Sequence, residues 1–185
     1  MSTGEFLVRA VAALKPVSEL PGAGETVLDA GQSPVVDLLG HGLAVVYLVD
    51  EGDRFVYVTH AHVEAIGAPA RGLMAIGLAN LELMAGTKLR MIEADGVVGL
   101  QLDGHFEASL LLVDRLWDEI FASRLPNGVV AAIPARDVLG FCDAANTAGI
   151  ATLRQMIASV LPRNDHVISD QLWRRVDGAW EPHVA

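Results

Sequence analysis

Four turn signals at nearly equal intervals constrain the fold of this chain more than any other feature of its sequence. They lie at residues 51–53, 95–96, 134–136 and 177–178, and each separates two short segments rich in β-branched and aromatic residues. This pattern is typical of a β-hairpin, and the Asp-Gly dipeptide at two of the turns is a strong hairpin signal. The turn centres lie near residues 52, 96, 136 and 178, so successive hairpins are 40 to 44 residues apart.

Helical patterns fill the intervals between these hairpins. Apolar residues that recur every three or four positions share one face of an α-helix and predict a helix packed on a sheet. Three such stripes are present: Met74, Leu78, Leu81 and Ala85; Phe106, Leu110, Val113, Trp117 and Ile120; and Ile150, Leu153, Ile157 and Val160. We therefore predict an α+β fold of repeated β-β-α units, which form a mostly antiparallel twisted sheet with packed helices.

The segment before the first hairpin is predicted to add one helix and two strands. Five apolar residues near the N-terminus follow helical spacing: Phe6, Leu7, Ala10, Val11 and Leu14. Because Pro16 would end that helix, we predict a helix over residues 1–16. The segments "TVLDA" and "PVVDLL" predict a pair of strands. No linker rich in proline, serine or charge divides the sequence, so we predict a single domain over residues 1–185, with the repeated region at 43–180.

Charge and cysteine content restrict the partners and the compartment. The chain has 23 acidic and 13 basic side chains and a formal net charge of −10. It has no cluster of cations that would follow a phosphate backbone or an anionic lipid surface, so we predict no nucleic-acid and no membrane partner. Cys142 is the only cysteine, which excludes an intrachain disulfide. Glu5 and Arg9 interrupt the apolar run that a signal peptide would need, so we predict a cytoplasmic protein.

The segment "DGHFEAS" holds the densest group of reactive side chains. Asp103, His105 and Ser109 are the residue types of an acid, a base and a nucleophile in a hydrolase. Ser109, however, lies within a predicted helix and lacks the G-x-S-x-G turn that exposes such a serine. In the other interpretation Asp103 and Gly104 end a strand, and Glu107 stabilises the first turn of the helix that follows. We favour this strand-to-helix junction.

Two histidines and the cysteine are the remaining candidates for chemistry. On a strand, His60 and His62 would face one side, as two metal ligands should. Thr59 and Gly67 instead predict the start and end of a short helix, on which the two rings would diverge. Asp143 beside Cys142 would raise the pKa of the thiol and make it unreactive. We predict no metal, no cofactor and no catalytic residue at these positions.

Four blocks of the sequence, in this order, resemble a known family. They are "GLAVVYLVDEGDRFVYVTHAHVEAIG", "GLMAIGLANLELM", "LQLDGHFEASLLLVDRLW" and "GVVAAIPARDVLGFCDA". The blocks lie within residues 42–144. They are similar to the YtpQ-like family of uncharacterised bacterial proteins, a domain of unknown function, and the resemblance covers roughly residues 43 to 180. The resemblance implies a small cytosolic protein and assigns no reaction. It includes these positions: Asp103, Gly104, Phe106, Glu107, Ser109, Arg136 and Asp137. The family often has a different residue where this chain has His105.

The absence of a convergent polar site, together with more apolar sequence than one simple core needs, favours a binding function. We predict a non-enzymatic, chaperone-like module that binds another protein or a second copy of itself. The alternative is a hydrolase-like enzyme that uses Asp103, Glu107 and Ser109.

Overall fold

A computed structural model describes residues 2–21, 29–67 and 70–184. Contacts between Cα atoms group the chain into two compact units, Met1–Leu83 and Met84–Ala185. Each unit has its own antiparallel sheet, so the strands form two sheets where the sequence predicted one. Helices combined with antiparallel sheets confirm the predicted α+β class. No helix within the described ranges is long and apolar enough to span a membrane.

The first unit has a small sheet with one central strand. Its strands are β1 (Val11–Pro16), β2 (Val36–Gly40), β3 (Leu43–Asp50) and β4 (Phe55–Tyr57). β1, β2 and β4 each pair with β3 in antiparallel orientation. β3 is buried along its length up to Asp50, as expected of an unbroken apolar run that is covered on both faces. The helices of this unit are α1 (Thr3–Leu7), α2 (His60–Glu64) and the first part of α3 (Leu73–Lys88).

Helix α3 lies close to the N-terminal segment of this unit. Asn80 donates hydrogen bonds from Nδ2 to the carbonyl oxygens of Val8 and Ala10, at 2.9 and 2.8 Å. At Gly77 a Cβ atom would lie 2.8 Å from the backbone nitrogen of Ala12, so the approach requires a residue without a side chain. Because α3 runs from Leu73 to Lys88, the helix predicted from the stripe at Met74 is confirmed.

The N-terminal helix predicted over residues 1–16 is wrong beyond its first turn. α1 ends at Leu7, and the chain continues as β1, in which Ala12, Ala13 and Leu14 are all buried. A strand that is covered on both faces has consecutive apolar residues, and here that run also matches helical spacing. Pairing with β3, from Val11 opposite Leu48 onwards, decides the conformation.

The other predictions for this unit are confirmed where residues are described. Residues 51–53 join β3 to β4 as a hairpin, with Asp50 opposite Phe55. The segment "PVVDLL" forms β2. The strand predicted at "TVLDA" falls mostly on residues 22–28, which lie outside the described residues.

The second unit has a six-stranded antiparallel sheet. Its strands are β5 (Arg90–Ala94), β6 (Val97–Gln101), β7 (Val129–Ala135), β8 (Val138–Asp143), β9 (Leu172–Val176) and β10 (Ala179–Pro182). The strand order is β10-β9-β7-β8-β6-β5, so β5 and β10 are the edges. The hairpins predicted at residues 95–96 and 177–178 are confirmed. Asp95 and Asp177 have φ values of 52° and 49°, which two-residue hairpin turns require.

The turn predicted at residues 134–136 lies later in the chain. Pro134 and Ala135 belong to β7, and Arg136 and Asp137 form the turn into β8. The register between β7 and β8 shifts between Ala132 and Ala135. Proline is tolerated within a strand at such an irregularity, because no regular ladder bond depends on its missing N–H.

The single helix predicted from Phe106 to Ile120 is also wrong. A 3₁₀ helix spans Ala108–Leu112, and a π-helix spans Leu116–Ile120. Between them Val113 leaves the helical region, with φ −90° and ψ 87°. The run from 108 to 111 is buried on all sides, which the single apolar face of an amphipathic α-helix does not provide. Ile120, predicted on the buried stripe, is exposed.

Helix α4 (Thr147–Val160) packs on one face of this sheet, as its apolar stripe predicted. Asn146 precedes the helix and caps it, since its Oδ1 accepts the N–H of Gly149 at 2.9 Å. The same amide donates from Nδ2 to the carbonyl oxygen of Gly96 at 3.0 Å. One side chain therefore joins the start of α4 to the β5–β6 turn.

Candidate functional site

The segment that follows β6 is a tight turn held by its own side chains. Asp103 accepts the backbone N–H of His105 at 3.1 Å. Gly104 has φ +84°, a conformation that residues with a side chain rarely adopt. The Asp-Gly pair of the sequence motif thus reverses the chain after the strand, as the junction interpretation predicts.

Glu107 is the most deeply buried acidic side chain of this segment, with 3% of its surface exposed. Its Oε1 accepts the backbone N–H groups of Leu102 and Gly104, both at 2.8 Å. Its Oε2 is buried and has no hydrogen-bond partner among residues 2–21, 29–67 and 70–184. The carboxylate therefore links the end of β6 to the 3₁₀ helix, rather than only favouring the helix dipole as predicted.

The structure brings the two sequence motifs together through the backbone. Ala108 donates its N–H to the carbonyl oxygen of Arg136 at 3.0 Å, which fastens the 3₁₀ helix to the β7–β8 turn. Arg136 in turn donates its N–H to the carbonyl oxygen of His166 at 3.1 Å. Asp137 accepts a hydrogen bond from Asn164 at 3.1 Å. The two motifs are thus joined by the main-chain hydrogen bond from Ala108 to Arg136.

The hydrolase alternative requires an accessible serine. Ser109 is buried with 3% of its surface exposed, and it lies within the 3₁₀ helix beside the buried Phe106. The groove beside β5 and the cavity between α4 and β10 do not include Asp103, His105 or Ser109 in their walls. The observed contacts of Asp103 and Glu107 go to backbone N–H groups, which are the contacts of a turn.

The histidine pair and the cysteine lie in ordinary structural positions. Thr59 caps α2, and Nδ1 of His62 accepts the N–H of Thr59 at 3.0 Å. The predicted short helix is therefore confirmed. Across the described ranges no group of three or more potential ligands is arranged to hold a metal ion. Burial, with a smaller contribution from Asp143, raises the pKa of the Cys142 thiol to about 11.

Strand β5 forms an open edge of the six-stranded sheet. All five of its residues are exposed, and the large apolar side chains Met91 and Ile92 are 49% and 51% exposed. Within the described part of the chain, β6 is the one strand that pairs with β5. Half-exposed apolar side chains on an unpaired strand edge are a typical place for another strand to add.

The hairpin register identifies which backbone groups face outward at this edge. The Asp95-Gly96 turn makes Ala94 and Val97 a hydrogen-bonded pair, and such pairs alternate along an antiparallel ladder. Residues between the bonded pairs direct N–H and C=O away from the neighbouring strand. Met91 and Glu93 therefore direct their backbone groups to the open side of β5.

Comparison with protein-family models, with curated proteins and with solved structures finds no match for this chain. The resemblance to the YtpQ-like family therefore stays a prediction from the sequence.

A groove of about 330 Å³ lies beside β5, between β6, the start of β8 and helix α4. Apolar side chains form most of its wall: Ile92, Val97, Leu139 and Met156. The charged residues in the wall are Asp95 and Asp137, both acidic. We name this surface, with the open side of β5, the β5 groove.

The opposite edge of the sheet is protected. β10 ends at Pro182, which has no N–H to offer a further strand. Trp180 on this strand donates its indole N–H to the carbonyl oxygen of Leu111 at 2.8 Å and packs edge-on against Trp117. Glu181 is held in an ion pair with Arg174. Of the two edges, β5 is therefore the one open to a partner.

Sequence reasoning did not single out the β5 groove. The hairpin at residues 95–96 was evident, but a hairpin pattern does not tell which strand will be an edge. The one available signal was the pair Met91 and Ile92 beside the charged Arg90 and Glu93, a mixture that suits a partly exposed strand.

Proposed function

We propose that this chain is a non-enzymatic binding module that takes an extended segment of another protein as an additional strand on β5. The observation that supports this most is the open β5 edge, with two half-exposed apolar side chains and a groove beside it. In strand addition, backbone hydrogen bonds supply affinity, and pockets for alternate side chains supply specificity. Met91 and Glu93 would provide the backbone groups, and the β5 groove would receive one apolar side chain.

The charges of the groove favour a basic segment. Asp95 and Asp137 are the charged residues of its wall, and the whole chain has a net charge of −10. Lysine or arginine on either side of the apolar side chain would lie near these carboxylates. A second copy of this chain would instead bring a net negative charge to the same surface, which opposes association. We therefore favour a separate basic partner over self-association.

The proposal includes the fold plan, the family relationship and the location predicted from the sequence. The three hairpins of the second unit, separated by helical segments, support the repeated β-β-α plan. A binding module of this kind is compatible with a single domain, with a YtpQ-like relationship, with a chaperone-like role and with a cytoplasmic location. The burial of Ser109, with 3% of its surface exposed, favours this proposal over the hydrolase alternative.

Two labelled peptides test the proposal by fluorescence anisotropy. Both are nine residues long and alternate valine with threonine, one with lysine at both ends and the other with glutamate at both ends. We expect saturable binding of the lysine peptide and binding about tenfold weaker for the glutamate peptide, a difference of about 1.4 kcal/mol. Equal binding of both peptides, or binding of neither, would refute the proposal.

Two substitutions at one position separate the contribution of the backbone N–H to binding from that of the side chain. Met91→Pro removes an outward-facing N–H while leaving the β5–β6 ladder intact, so strand addition should be lost. Met91→Ala keeps that N–H and should retain most of the affinity. The thermal midpoint checks that both variants are folded. Binding that survives Met91→Pro would contradict strand addition on β5. A concentration-dependent dimer in sedimentation that Met91→Pro abolishes would mean that a second copy of the chain, and not a separate basic partner, occupies the edge.

A further inference from the structure

A second cavity of the same unit lies between α4, the segment before β9 and the end of β10. Its volume is about 520 Å³, within the range of small-molecule sites. Four apolar side chains from these parts of the chain line its wall: Ile157, Leu161, Leu172 and Pro182. Ile157 and Leu172 are buried, so they form a floor rather than an exposed patch.

Polar groups of two kinds face this cavity. Arg154 lines it from α4 and forms no ion pair with the carboxylates of the described chain. His183 lines it from the end of β10, and its Nδ1 is buried without a hydrogen-bond partner among the described residues. The backbone N–H of His183 donates to the carbonyl oxygen of Leu172 at 2.8 Å, which fixes the start of this side chain. A cation and an imidazole ring thus line one apolar cavity.

The other charged residues around the cavity restrict the class of ligand that it can bind. Asp170 also lines the wall, and Arg174 on β9 forms an ion pair with Glu181 on β10. Burial, and then the positive charges of Arg154 and Arg174, lower the pKa of His183. A carboxylate would accept hydrogen bonds from Arg154 and from an N–H of the His183 ring. A second carboxylate on the same molecule would be repelled by Asp170.

We propose that this cavity binds a small monocarboxylate with an apolar tail, which Arg154 and His183 hold by its carboxylate above the floor formed by Ile157 and Leu172. This site is separate from the β5 groove, since none of these residues lines that groove. The ligand class is a short fatty acid or a similar apolar acid. A dicarboxylate or an amine of the same length would lack one of the two complementary features.

Three probes of equal length test the ligand class by titration calorimetry: octanoate, octanedioate and octylamine. Octanoate should bind saturably, and the other two should bind about tenfold more weakly or not at all. A bound carboxylate stabilises the protonated ring, so octanoate should also raise the pKa of His183 in a histidine NMR titration. Assignment of that signal uses His183→Gln. Equal affinity for all three probes, or no saturable binding of octanoate, overturns the proposal.

Two matched arginine substitutions test the position of the carboxylate. Arg154→Gln removes the charge while keeping a good helix former on the exposed side of α4, so the fold should be retained. Octanoate affinity should fall about tenfold, as expected for loss of a charge-assisted hydrogen bond. Arg163→Gln makes the same charge change outside the cavity wall and should bind like the unaltered chain. Equal loss in both variants would mean that net charge alone attracts octanoate.

Discussion

Arg175 supplies the sharpest test of how the second unit is held together. Its side chain is 7% exposed, yet its two carboxylate partners, Asp114 and Asp118, are 72% and 59% exposed. The guanidinium donates to Asp114 at 2.9 Å and to both oxygens of Asp118, at 2.8 and 3.3 Å. It thereby joins β9 to the segment around the π-helix. A largely buried cation depends here on two carboxylates that water also reaches.

The arrangement predicts non-additive losses of stability. With Asp114→Asn or Asp118→Asn alone, one carboxylate still neutralises the guanidinium, so each change should cost about 1 kcal/mol. The double variant leaves a buried cation without a counter-charge and should cost about 3–5 kcal/mol. The excess over the two single losses is then about 1–3 kcal/mol. Arg175→Met removes the buried charge itself and should cost less than the double variant, because both aspartates can be hydrated.

Urea unfolding followed by tryptophan fluorescence measures these differences. The three tryptophans are at positions 117, 173 and 180, so the signal reports the second unit. Glu119→Gln is the control, since the ion pair of Glu119 with Arg115 is exposed on both sides and should change stability by less than about 0.5 kcal/mol. The reasoning is refuted if the losses of Asp114→Asn and Asp118→Asn simply add, or if Arg175→Met is the most destabilised variant.

Two further predictions concern buried groups of the same unit. Phe106→Ala should lower the free energy of unfolding by about 3–5 kcal/mol, because Phe106 is buried; a loss below about 1 kcal/mol in urea unfolding would contradict this. The pKa of Cys142 is raised from 9.0 to about 11 in the folded state, so the stability that the thiol contributes is present below pH 9 and lost as the pH rises through 11. Relative to Cys142→Ala, the unaltered chain should lose about 2–3 kcal/mol over that interval, and equal pH profiles would contradict the prediction.

Hairpins were predictable from the sequence because their signal is local. Asp95 and Asp177 adopt the left-handed conformation that an Asp-Gly turn requires, and the strands on either side follow from it. The stripe of α4 was equally clear, since Pro162 and the spacing of Ile150 and Leu153 agree. In each case, neighbours within a few residues determine the structure.

The failures arise where partners distant in the chain decide the conformation. Val11 and Leu14 fit a helix by spacing, but pairing with β3, more than thirty residues away, makes this segment a strand. After β6, a tight 3₁₀ turn is favoured over an α-helix for two reasons. Ala108 donates a hydrogen bond to Arg136, and residues 108–111 are buried on every side. These long-range interactions are not encoded in a short window of sequence.

The candidate sites were less predictable than the fold. The motif residues at 103–109 were identified as a junction, and the buried acceptor role of Glu107 was not foreseen. The β5 groove depends on strand order, and the cavity at His183 depends on three parts of the chain meeting. Such surfaces are properties of the assembled sheet, so residue type and spacing do not reveal them.

The amide of Asn146 has a practical consequence for anyone who inserts a tag or a reporter into this protein. Exposed loop tips with small or polar residues ordinarily tolerate insertions. The turn at Gly96 is an exception, because its carbonyl oxygen is held by Asn146 and a Cβ atom there would lie 2.9 Å from Nδ2 of that amide. At Gly178 the nearest atom to such a Cβ is 3.9 Å away, at the end of Arg175. A fluorescent or affinity insertion therefore belongs at the β9–β10 turn.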